Sequence, residues 1–368
     1  MKRVLLLSTV HPPTDPRIVY KIAPALAAQY EVICALPQIR QQKAFRTISL
    51  PFFKKLSARL LVTYPVLFWK CIRLKPDILH IFVPELIPAA FIFKWLGAKV
   101  IYEVQENLDQ KFSIKKYNNA LIFQLLFAYF DKLARREFFF IFTEKAYLNT
   151  YSQLRYPHAV IQNFASIPPS DIYNSIQNST QASPEFLYVG VISMERCIDV
   201  MILAFSKLKN IYPHFKAHFF GALRLDQNAL ETLPGFDQVR NNLVFYGYTD
   251  QQIAFRYASR YVAGIALLKP VADYPDSYTT KLFEYMAFGL PVITSDFPLY
   301  RSIVEPSQSG FCISPYDDAA LFDKLAFLAE NEPKRLEMGN NGKIRVENFY
   351  NWKQEIQKLL SFYVDISA

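Results

Sequence analysis

Two carboxylates, Asp276 and Glu284, stand with seven residues between them in the second half of the chain. The residues around Glu284 are almost all apolar, namely Leu282, Phe283, Tyr285, Met286, Ala287 and Phe288. A short helix of this composition has no polar stripe, so we expect it to be buried. A buried carboxylate needs a hydrogen-bonding or charged partner. The sequence therefore predicts that a specific group satisfies Glu284.

Two kinds of partner fit Glu284. Lys281, three residues earlier on the same helical face, would form a structural ion pair with it. Alternatively, vicinal hydroxyls of a ligand would donate to the carboxylate, as those of a ribose do. The expected helix ends favour a ligand, because Thr279 or Thr280 can cap its start and Gly289 can end it in a left-handed conformation. The N–H groups at its start would then attract an anion such as phosphate, with Lys281 beside it.

The run Lys281-Leu-Phe-Glu-Tyr-Met-Ala-Phe-Gly-Leu-Pro-Val-Ile293 resembles the donor-binding signature of the retaining GT-B glycosyltransferases of the family 4 type, the glycosyl transferases group 1. In that group two acids with this spacing contact the donor sugar and the ribose of its nucleotide. The resemblance implies that Asp276 binds sugar hydroxyls and that Glu284 binds the ribose. Asp276 is one methylene shorter than the Glu usual at its position.

Further segments resemble the same family in order along the chain. The resemblance implies acceptor-side or phosphate-side roles for His11, Arg17 and Glu85 in the first domain. It implies that the basic residue opening the second domain, Arg196, binds the donor diphosphate. The segments are His11-Pro-Pro-Thr-Asp-Pro-Arg17, Val83-Pro-Glu-Leu86, Tyr188-Val-Gly-Val-Ile-Ser-Met-Glu-Arg196 and, for the closing helix, Asn351-Trp352.

The activity that the resemblance implies is transfer of a hexosyl group from a nucleotide-diphosphate sugar to an acceptor, with retention of configuration. Arg196 and Lys281 would stabilise the charge that develops on the leaving diphosphate. Arg196 has the alternative of a solvated residue at a helix start. Ser277 and Thr280 are further donor-binding candidates beside Asp276 and Glu284. The backbone at Gly247 and Tyr248 would lie against the base, unless Gly247 is simply a turn after a strand.

The sequence departs from the family pattern at four positions. Gln105 replaces a His that lies near the donor sugar in the resembled branch, and an amide donates a hydrogen bond without exchanging a proton at neutral pH. Val83 replaces an Asp, Cys197 a Gly and Thr279 a Pro. The departures fit a shifted substrate preference with Gln105 still in a catalytic position. They also fit a catalytically degenerate nucleotide-sugar-binding protein, and a GT-B sugar-nucleotide epimerase is a further alternative.

Strand and helix patterns alternate along the chain, which predicts parallel sheets flanked by helices. A length of 368 residues fits two α/β domains. The resemblance implies that they form a GT-B protein, with two Rossmann-like domains facing a cleft. The predicted domains are 1–165 on the acceptor side and 166–350 on the nucleotide-sugar side, followed by a helix over 351–368 that packs back on the first domain. A Pro- and Ser-rich stretch over 164–184 marks the boundary.

Other chemistries lack their signatures. No G-x-G-x-x-G follows the first strand, which argues against a nicotinamide-dependent dehydrogenase. No Asp-x-Asp or Cys-x-x-Cys motif indicates a metal site. The prediction is a metal-independent transferase with no cofactor, using the nucleotide sugar as co-substrate. The scattered cysteines Cys34, Cys71, Cys197 and Cys312 suit the reducing cytoplasm.

The positive charge of the chain is concentrated in one segment. Residues 32–76 contain no Asp or Glu, and the formal net charge of +9 equals the number of basic residues in this segment: Arg40, Lys43, Arg46, Lys54, Lys55, Arg59, Lys70, Arg73 and Lys75. Interleaved aromatic residues make it typical of a segment that rests on an anionic bilayer. The alternative is sheet-covering helices with solvated Lys and Arg. No nucleic-acid motif accompanies the charge.

These features predict a cytoplasmic protein with peripheral association at the inner face of the cell membrane as an option. The acceptor is a glycan of a growing cell-surface polysaccharide, a lipid-linked sugar or a small molecule. The opening apolar run from Val4 to Thr9 is too short for a signal peptide and predicts a first strand instead.

Four side chains of the first domain have a structural alternative. Arg17 binds phosphate or pairs with Asp15 in its own loop. Glu85 caps the helix that begins near Leu86. His11 contacts substrate or packs over a strand end, and His80, inside an apolar strand, is expected to be a satisfied core histidine.

Overall fold

A computed structural model describes residues 1–106, 120–168 and 183–367. The chain divides into two compact units, Met1–Asn163 together with Lys353–Ala368, and Phe164–Trp352. Most of the Pro- and Ser-rich boundary stretch, residues 169–182, lies outside the described residues. Each unit is built on its own parallel sheet.

The first unit contains a seven-stranded sheet in the order β3-β2-β1-β4-β5-β6-β7, in which every described pair is parallel. The strands β1, β2 and β4 are buried along nearly their whole length, as expected when helices cover both faces of a parallel sheet. The strands are β1 Arg3–Leu7, β2 Glu31–Pro37, β3 Arg46–Leu50, β4 Ile78–Ile81, β5 Lys99–Val104, β6 Phe139–Phe142 and β7 His158–Val160.

The helices of the first unit connect these strands. A π-helical turn over Ile18–Ile22 leads into α1, and another over Arg59–Thr63 joins α2 to α3. The helices are α1 Ala23–Ala27, α2 Leu56–Ala58, α3 Tyr64–Cys71, α4 Ile87–Trp95 and α5 Ala120–Glu137, to which the last helix of the chain, Trp352–Ser367, adds residues from Lys353 onward.

The second unit contains a six-stranded parallel sheet in the order β10-β9-β8-β11-β12-β13. The strands are β8 Glu185–Val189, β9 Lys216–Phe220, β10 Leu243–Gly247, β11 Tyr261–Ala266, β12 Val292–Ser295 and β13 Gly310–Ile313. The helices are α6 Ile198–Leu208, α7 Gln227–Glu231, α8 Phe236–Val239, α9 Gln251–Phe255, α10 Thr280–Ala287, α11 Pro298–Ser307, α12 Asp318–Glu330 and α13 Glu332–Phe349, and the last helix, Trp352–Ser367, is α14.

In both sheets the chain order reverses once, between β1 and β4 in the first and between β8 and β11 in the second. Ligands of open parallel sheets bind beyond the strand carboxyl ends at this reversal. The loops that follow β1, β4, β8 and β11 are therefore the ones that position candidate functional side chains.

The prediction of two Rossmann-like parallel-sheet domains of the GT-B type is confirmed. The strand predicted from Val4 to Thr9 ends at Leu7, and Ser8 and Thr9 begin the loop that follows it. A cleft between the domains stays a prediction.

The basic segment folds against the first sheet. Its helices bury Thr63, Leu67 and Cys71, while Leu61 and Trp69 are 77% and 69% exposed. Helices of this segment therefore cover the sheet, as the structural alternative predicted, and they also carry exposed apolar side chains. Association with a membrane stays a prediction. Among the described residues, no helix is both long and apolar enough to cross a bilayer.

Candidate functional site

The chain turns sharply at Gly190, immediately after β8. Gly190 and Gly221 have φ angles of +130° and +154°, and the Gly190 N–H donates to the Phe220 carbonyl at 2.8 Å. A Cβ at Gly221 would lie 1.8 Å from the Gly190 carbonyl oxygen. Only glycine allows this approach of two loops, because φ lies in the region that other residues avoid and the space is occupied by backbone.

Two cations converge on Gly190. A Cβ built on this residue would lie 3.2 Å from Arg196 Nη1 and 3.5 Å from Lys281 Nζ. Both positive groups therefore lie beside the same point next to Gly190, which is vacant because glycine has no side chain. We call Gly190, Arg196 and Lys281 the cation corner.

Lys281 is buried without a hydrogen-bond partner. Its side chain is 4% exposed, and among the described residues nothing accepts a hydrogen bond from Nζ. The ammonium lies 4.2 Å from the centre of the Tyr188 ring, a favourable cation–π distance. Burial and the neighbouring charge of Arg196 lower the pKa of Lys281 well below its ordinary value.

The predicted structural alternative for Lys281 is wrong, because Nζ has no hydrogen-bond partner among the described residues, Glu284 included. The lysine extends over Tyr188 instead of back along its own helix. Glu284 itself is 8% exposed and therefore as buried as predicted.

Arg196 reaches the cation corner from a tight turn. Its neighbour Cys197 is fully buried and has φ +60° and ψ 32°, a left-handed conformation that costs a residue with a Cβ roughly 1 kcal/mol. The guanidinium carbon lies 5.9 Å from the Tyr274 ring centre. Arg196 is thus only partly exposed and is packed beside aromatic rings. The alternative interpretation, a solvated residue at a helix start, did not anticipate this packing.

Helix α10 is fixed on the sheet by Tyr285. The tyrosine hydroxyl accepts a hydrogen bond from the Val189 N–H at 2.8 Å, at the end of β8. Its ring occupies the space beside Gly264, where a Cβ would lie 2.3 Å from ring atoms. Because Lys281 and Glu284 share this helix, Tyr285 also fixes the position of Glu284 relative to the cation corner.

The ends of α10 agree only partly with expectation. Gly289 has φ +70° and ends the helix in a left-handed conformation, as predicted. Thr279 occupies the position before the helix, but its side chain makes no capping hydrogen bond, and Thr280 is already helical. The capping prediction is therefore right for the position of Thr279 and wrong for its hydroxyl.

Asp276 lies in the loop between β11 and α10 and is exposed, with Ser277 partly exposed beside it. The loop is held from outside by Tyr300, whose hydroxyl donates towards the carbonyls of Tyr274 and Ser277 at 3.2 Å and 3.0 Å. At its other end the Ser295 hydroxyl bonds both the N–H and the carbonyl of Leu268, each at 2.7 Å. No pattern in the sequence indicated a role for either supporting residue.

Gly247 connects the edge strand β10 to the same region. Its carbonyl accepts from the Gly221 N–H at 2.8 Å, and Gly221 in turn contacts Gly190. Gly247 has φ +68° with no atom within 4 Å of where a Cβ would be, so its surface is open. Tyr248 is 60% exposed beside it. Both alternatives for Gly247, a turn and an open surface for a planar ligand, are compatible with this geometry.

The predicted residues of the first unit gather beyond β1, β4 and β5. His11 Nε2 lies 3.1 Å from Gln105 Oε1, and Gln105 Nε2 lies 2.7 Å from Glu103 Oε1. A cavity of about 150 Å³ adjoins them. Its lining consists of Val10, His11, Phe82, Val83, Pro84, Tyr102, Glu103, Gln105 and Glu106.

Arg17 does not pair with Asp15. Its guanidinium, 3% exposed, bonds Glu103 at 2.7 Å and 3.1 Å and the Ile161 carbonyl at 2.8 Å. Asp15 instead accepts from the Ile18 N–H at 2.9 Å, where the helix begins. The sequence could not anticipate the Arg17–Glu103 pair, because the two residues are 86 positions apart.

Glu85 does not cap the following helix. Its two carboxylate oxygens bond the Arg59 guanidinium at 2.8 Å and 2.6 Å, and Thr9 donates to the same carboxylate. One of the nine cations of the basic segment is therefore neutralised by a predicted site residue.

His80 is a core histidine, as expected. It is fully buried, with Nδ1 2.8 Å from the Tyr363 hydroxyl of α14 and Nε2 3.5 Å from Glu103. Burial lowers its pKa, so the imidazole is neutral around pH 7.

Two Rossmann-like units, one of which carries paired cations beyond the carboxyl ends of its strands, define a protein of the GT-B fold. Residues 170–345 match the model of the family described as glycosyl transferases group 1. The matched range contains every predicted donor-side residue, from Arg196 to Glu284.

The chain is similar to solved structures over nearly its whole length. Sucrose-phosphate synthase (tll1590) from Thermosynechococcus elongatus is 16% identical, with a TM-score of 0.74 over 100% of this chain and 99% of that one. Alr3699/HepE of Anabaena, solved in complex with UDP and glucose, is 15% identical, with a TM-score of 0.72 over 99% and 100%. WaaG, a glycosyltransferase involved in lipopolysaccharide biosynthesis, is 15% identical, with a TM-score of 0.70 over 97% and 98%. At these identities the likeness establishes the fold.

A curated relative, spore coat protein SA of Bacillus subtilis (strain 168), is 27% identical over 82 residues. The match spans 22% of this chain and 22% of that protein.

Replacing Lys281 with Met should stabilise the protein. The substitution removes a buried charge without a hydrogen-bond partner and keeps an unbranched apolar chain over Tyr188. We expect unfolding to become less favourable by about 1–3 kcal/mol, after loss of the cation–π contact is counted. Thermal or urea unfolding measures the change.

Lys21 provides the matched control. It is also a buried lysine, 6% exposed, but its ammonium donates to the Asn163 side chain at 2.9 Å. Lys21→Met should therefore lower stability. If Lys281→Met lowers stability as much as Lys21→Met does, Lys281 has a structural partner and the cation corner is wrongly described.

Proposed function

We propose that this protein transfers a sugar from a nucleoside diphosphate sugar to an acceptor, with retention of configuration. The observation that carries the proposal is the cation corner. A buried ammonium without a hydrogen-bond partner, placed beside a guanidinium over a bare glycine backbone, is costly to the folded protein. A diphosphate bound there would supply the missing negative charge.

The comparisons support the same ligand class. The family model covers Gly190, Arg196 and Lys281, and its description names glycosyl transfer. The solved complexes of Anabaena Alr3699/HepE contain UDP with glucose and UDP-glucose. For this chain a UDP-sugar is thus the first donor to test.

The chemistry follows from where charge develops. As the bond between the anomeric carbon and the diphosphate lengthens, negative charge grows on the leaving oxygens. Arg196 offers a planar pair of donors and Lys281 a compact charge, and both are already in place before the reaction. Two protein cations at this position make the proposed leaving-group stabilisation independent of a metal ion.

The remaining roles are assigned around the leaving group. Glu284, on the same helix as Lys281, accepts from the ribose hydroxyls. Asp276, with Ser277 and Thr280 nearby in sequence, holds sugar hydroxyls, and the open backbone at Gly247 and Tyr248 receives the base. Gln105 and His11 belong to the first unit and act on the sugar or acceptor side.

Two alternative functions would use the same cation corner. A degenerate protein would bind the nucleotide sugar without turnover, and a GT-B epimerase would return a modified nucleotide sugar. The replacement of a family His by Gln105 is the feature that favours a loss of turnover, because an amide exchanges no proton.

Glu284→Ala should weaken the binding of UDP-glucose in titration calorimetry, because the ribose hydroxyls lose their acceptor. We expect an affinity at least tenfold weaker, the usual effect of losing hydrogen bonds to a charged group. Wild-type protein should also hydrolyse or transfer the donor sugar, which a dead binding protein would not do. A 2-epimerised UDP-N-acetylglucosamine product would identify the epimerase.

Glu305→Ala serves as the control, because Glu305 lies on the surface and pairs only with Arg301 at 2.8 Å among the described residues. Its affinity for UDP-glucose should equal that of the wild type. If Glu284→Ala binds UDP-glucose with the affinity of the wild type, Glu284 does not bind the ribose.

Binding of UDP should be accompanied by proton uptake at pH values between the lowered pKa of Lys281 in the free protein and its higher pKa in the complex. The pKa of Lys281 in the free protein is lowered, and a bound diphosphate raises it again, so a fraction of the lysines gains a proton on binding. Affinity should therefore fall as pH rises through the pKa of the free protein. Calorimetry in buffers of different ionisation enthalpy measures the proton count.

Lys281→Met should bind UDP without this proton uptake and at least tenfold more weakly. Unchanged proton uptake in Lys281→Met would assign the titration to another group and remove Lys281 from the diphosphate site.

We further propose that the basic segment holds the first unit on an anionic membrane at the cytoplasmic face. Lys54 and Lys55 are exposed, and the nearby apolar side chains of Phe52, Leu60 and Leu61 are 43%, 42% and 77% exposed. An open cavity of about 360 Å³ is lined in part by Arg46, Lys70 and Arg73, with Trp69 at its side. Cations beside exposed apolar side chains are typical of interfacial binding, and they favour a lipid-linked or cell-surface glycan acceptor.

Lys54→Glu combined with Lys55→Glu should weaken co-sedimentation with vesicles that contain anionic lipid. Reversing two charges removes attraction of about 1 kcal/mol per residue near the surface, so binding should fall by at least tenfold and decrease with added salt. Arg59 is left intact, because its pairing with Glu85 supports the fold. The same charge change at exposed Lys207 and Lys353 is the control, and equal loss in both double variants would contradict a specific membrane surface.

A further inference from the structure

The first unit contains a series of connected hydrogen bonds. The carboxylate of Glu103 determines which atoms in this series donate and which accept. Glu103 is 1% exposed and receives two bonds from Arg17. Burial opposes its charge, but Arg17 and His80 hold the pKa of Glu103 well below its usual range. Glu103 is therefore ionised, and an ionised carboxylate only accepts hydrogen bonds.

This property fixes the neighbouring groups in turn. The Gln105 atom 2.7 Å from Glu103 must be the amide nitrogen, so the amide oxygen faces His11 Nε2 at 3.1 Å. His11 Nε2 must then carry a hydrogen, and Nδ1 accepts from the Ser8 hydroxyl at 2.7 Å. Amide and imidazole orientations are usually assigned from their surroundings, and here the surroundings allow one solution.

The fixed amide adjoins the 150 Å³ cavity. A cavity of that volume accommodates a ring the size of benzene. Phe82, Val83 and Pro84 provide apolar walls, and His11, Gln105 and Glu106 provide polar edges. Gln105 Nε2 uses one hydrogen for Glu103, and among the described residues nothing accepts the other.

We propose that Glu103 is a positioning residue, which orients Gln105 so that its remaining amide N–H donates to a hydroxyl oxygen of a neutral sugar ring in this cavity. The inference rests on the proposed function for the identity of the ligand. It goes beyond that function by giving the substituted family position a defined polarity, in which Gln105 donates to the sugar and accepts from His11 Nε2.

Nitrogen-15 spectra of the histidine side chains in the full chain test the orientation without any activity. The expected result for His11 is the Nε2–H tautomer in the wild type and also in Ser8→Ala, because Glu103 still orients Gln105 in that variant. Glu103→Gln should instead give a mixture of tautomers. An Nδ1–H tautomer in the wild type would overturn the proposal.

Kinetics with UDP-glucose test the consequence. Glu103→Gln keeps the size of the side chain but removes the carboxylate that can only accept hydrogen bonds. The amide of Gln105 can then flip, which exchanges the positions of its nitrogen and oxygen. We expect kcat/KM to fall about tenfold, the effect of one misdirected hydrogen bond, with affinity for UDP alone unchanged. Ser8→Ala should show a smaller fall in the same parameter and, because the buried ion pair remains, should fold normally.

Asp131→Asn is the matched control for stability. Asp131 is 4% exposed in the same unit and pairs with Arg135 at 2.7 Å, so the variant also disturbs a buried ion pair. It should lower the melting temperature and leave kcat/KM of the folded fraction unchanged. Equal kcat/KM losses in Glu103→Gln and Asp131→Asn would reduce Glu103 to a structural role.

The two proposals fail in distinguishable ways. A wild-type protein that neither binds UDP-glucose nor turns it over contradicts the proposed function, while the tautomer of His11 still decides the orientation of Gln105. A protein that is active but carries His11 as the Nδ1–H tautomer retains the function and loses the positioning role of Glu103.

Discussion

A buried ammonium without a hydrogen-bond partner is the interaction on which the second unit depends. Lys281 lies against Tyr188 and close to Arg196, so the folded protein holds two like charges near each other in a site with little water. Such an arrangement opposes folding, and the proposed diphosphate would offset its cost. Helix α10, the turn at Arg196 and the glycine backbone at Gly190 all serve to keep these charges together.

Backbone proximity makes the arrangement possible. Gly190 and Gly221 let two loops touch, and Gly264 lets the Tyr285 ring lie against β11. The result is a helix that carries Lys281 and Glu284 at a fixed height above the strand ends. Rigid support of this kind matters for transfer chemistry, since charge stabilisation requires donors that need no reorganisation as the bond breaks.

In the first unit, one ionised carboxylate, that of Glu103, orients the neutral side chains around it. Glu103 accepts from Arg17 and Gln105, and His80 connects it to the helix α14 through Tyr363. The same carboxylate therefore supports both the fold of the unit and the orientation of Gln105. A Gln in this position is chemically distinct from a His, because its donor and acceptor atoms are fixed by neighbours and do not change with pH.

By itself the sequence determined the alternation of strands and helices, the two parallel sheets and the buried helix α10, because these follow from short-range apolar patterns and from Gly289 at a helix end. It also named the residues of the cation corner, since their motif is local. Only the tertiary structure decided the partners. Arg17 pairs with Glu103 and not with Asp15, Glu85 pairs with Arg59, and Lys281 turns away from Glu284. Ion pairs and hydrogen bonds depend on ångström distances between residues far apart in the chain, and residue types and spacing carry no record of those distances.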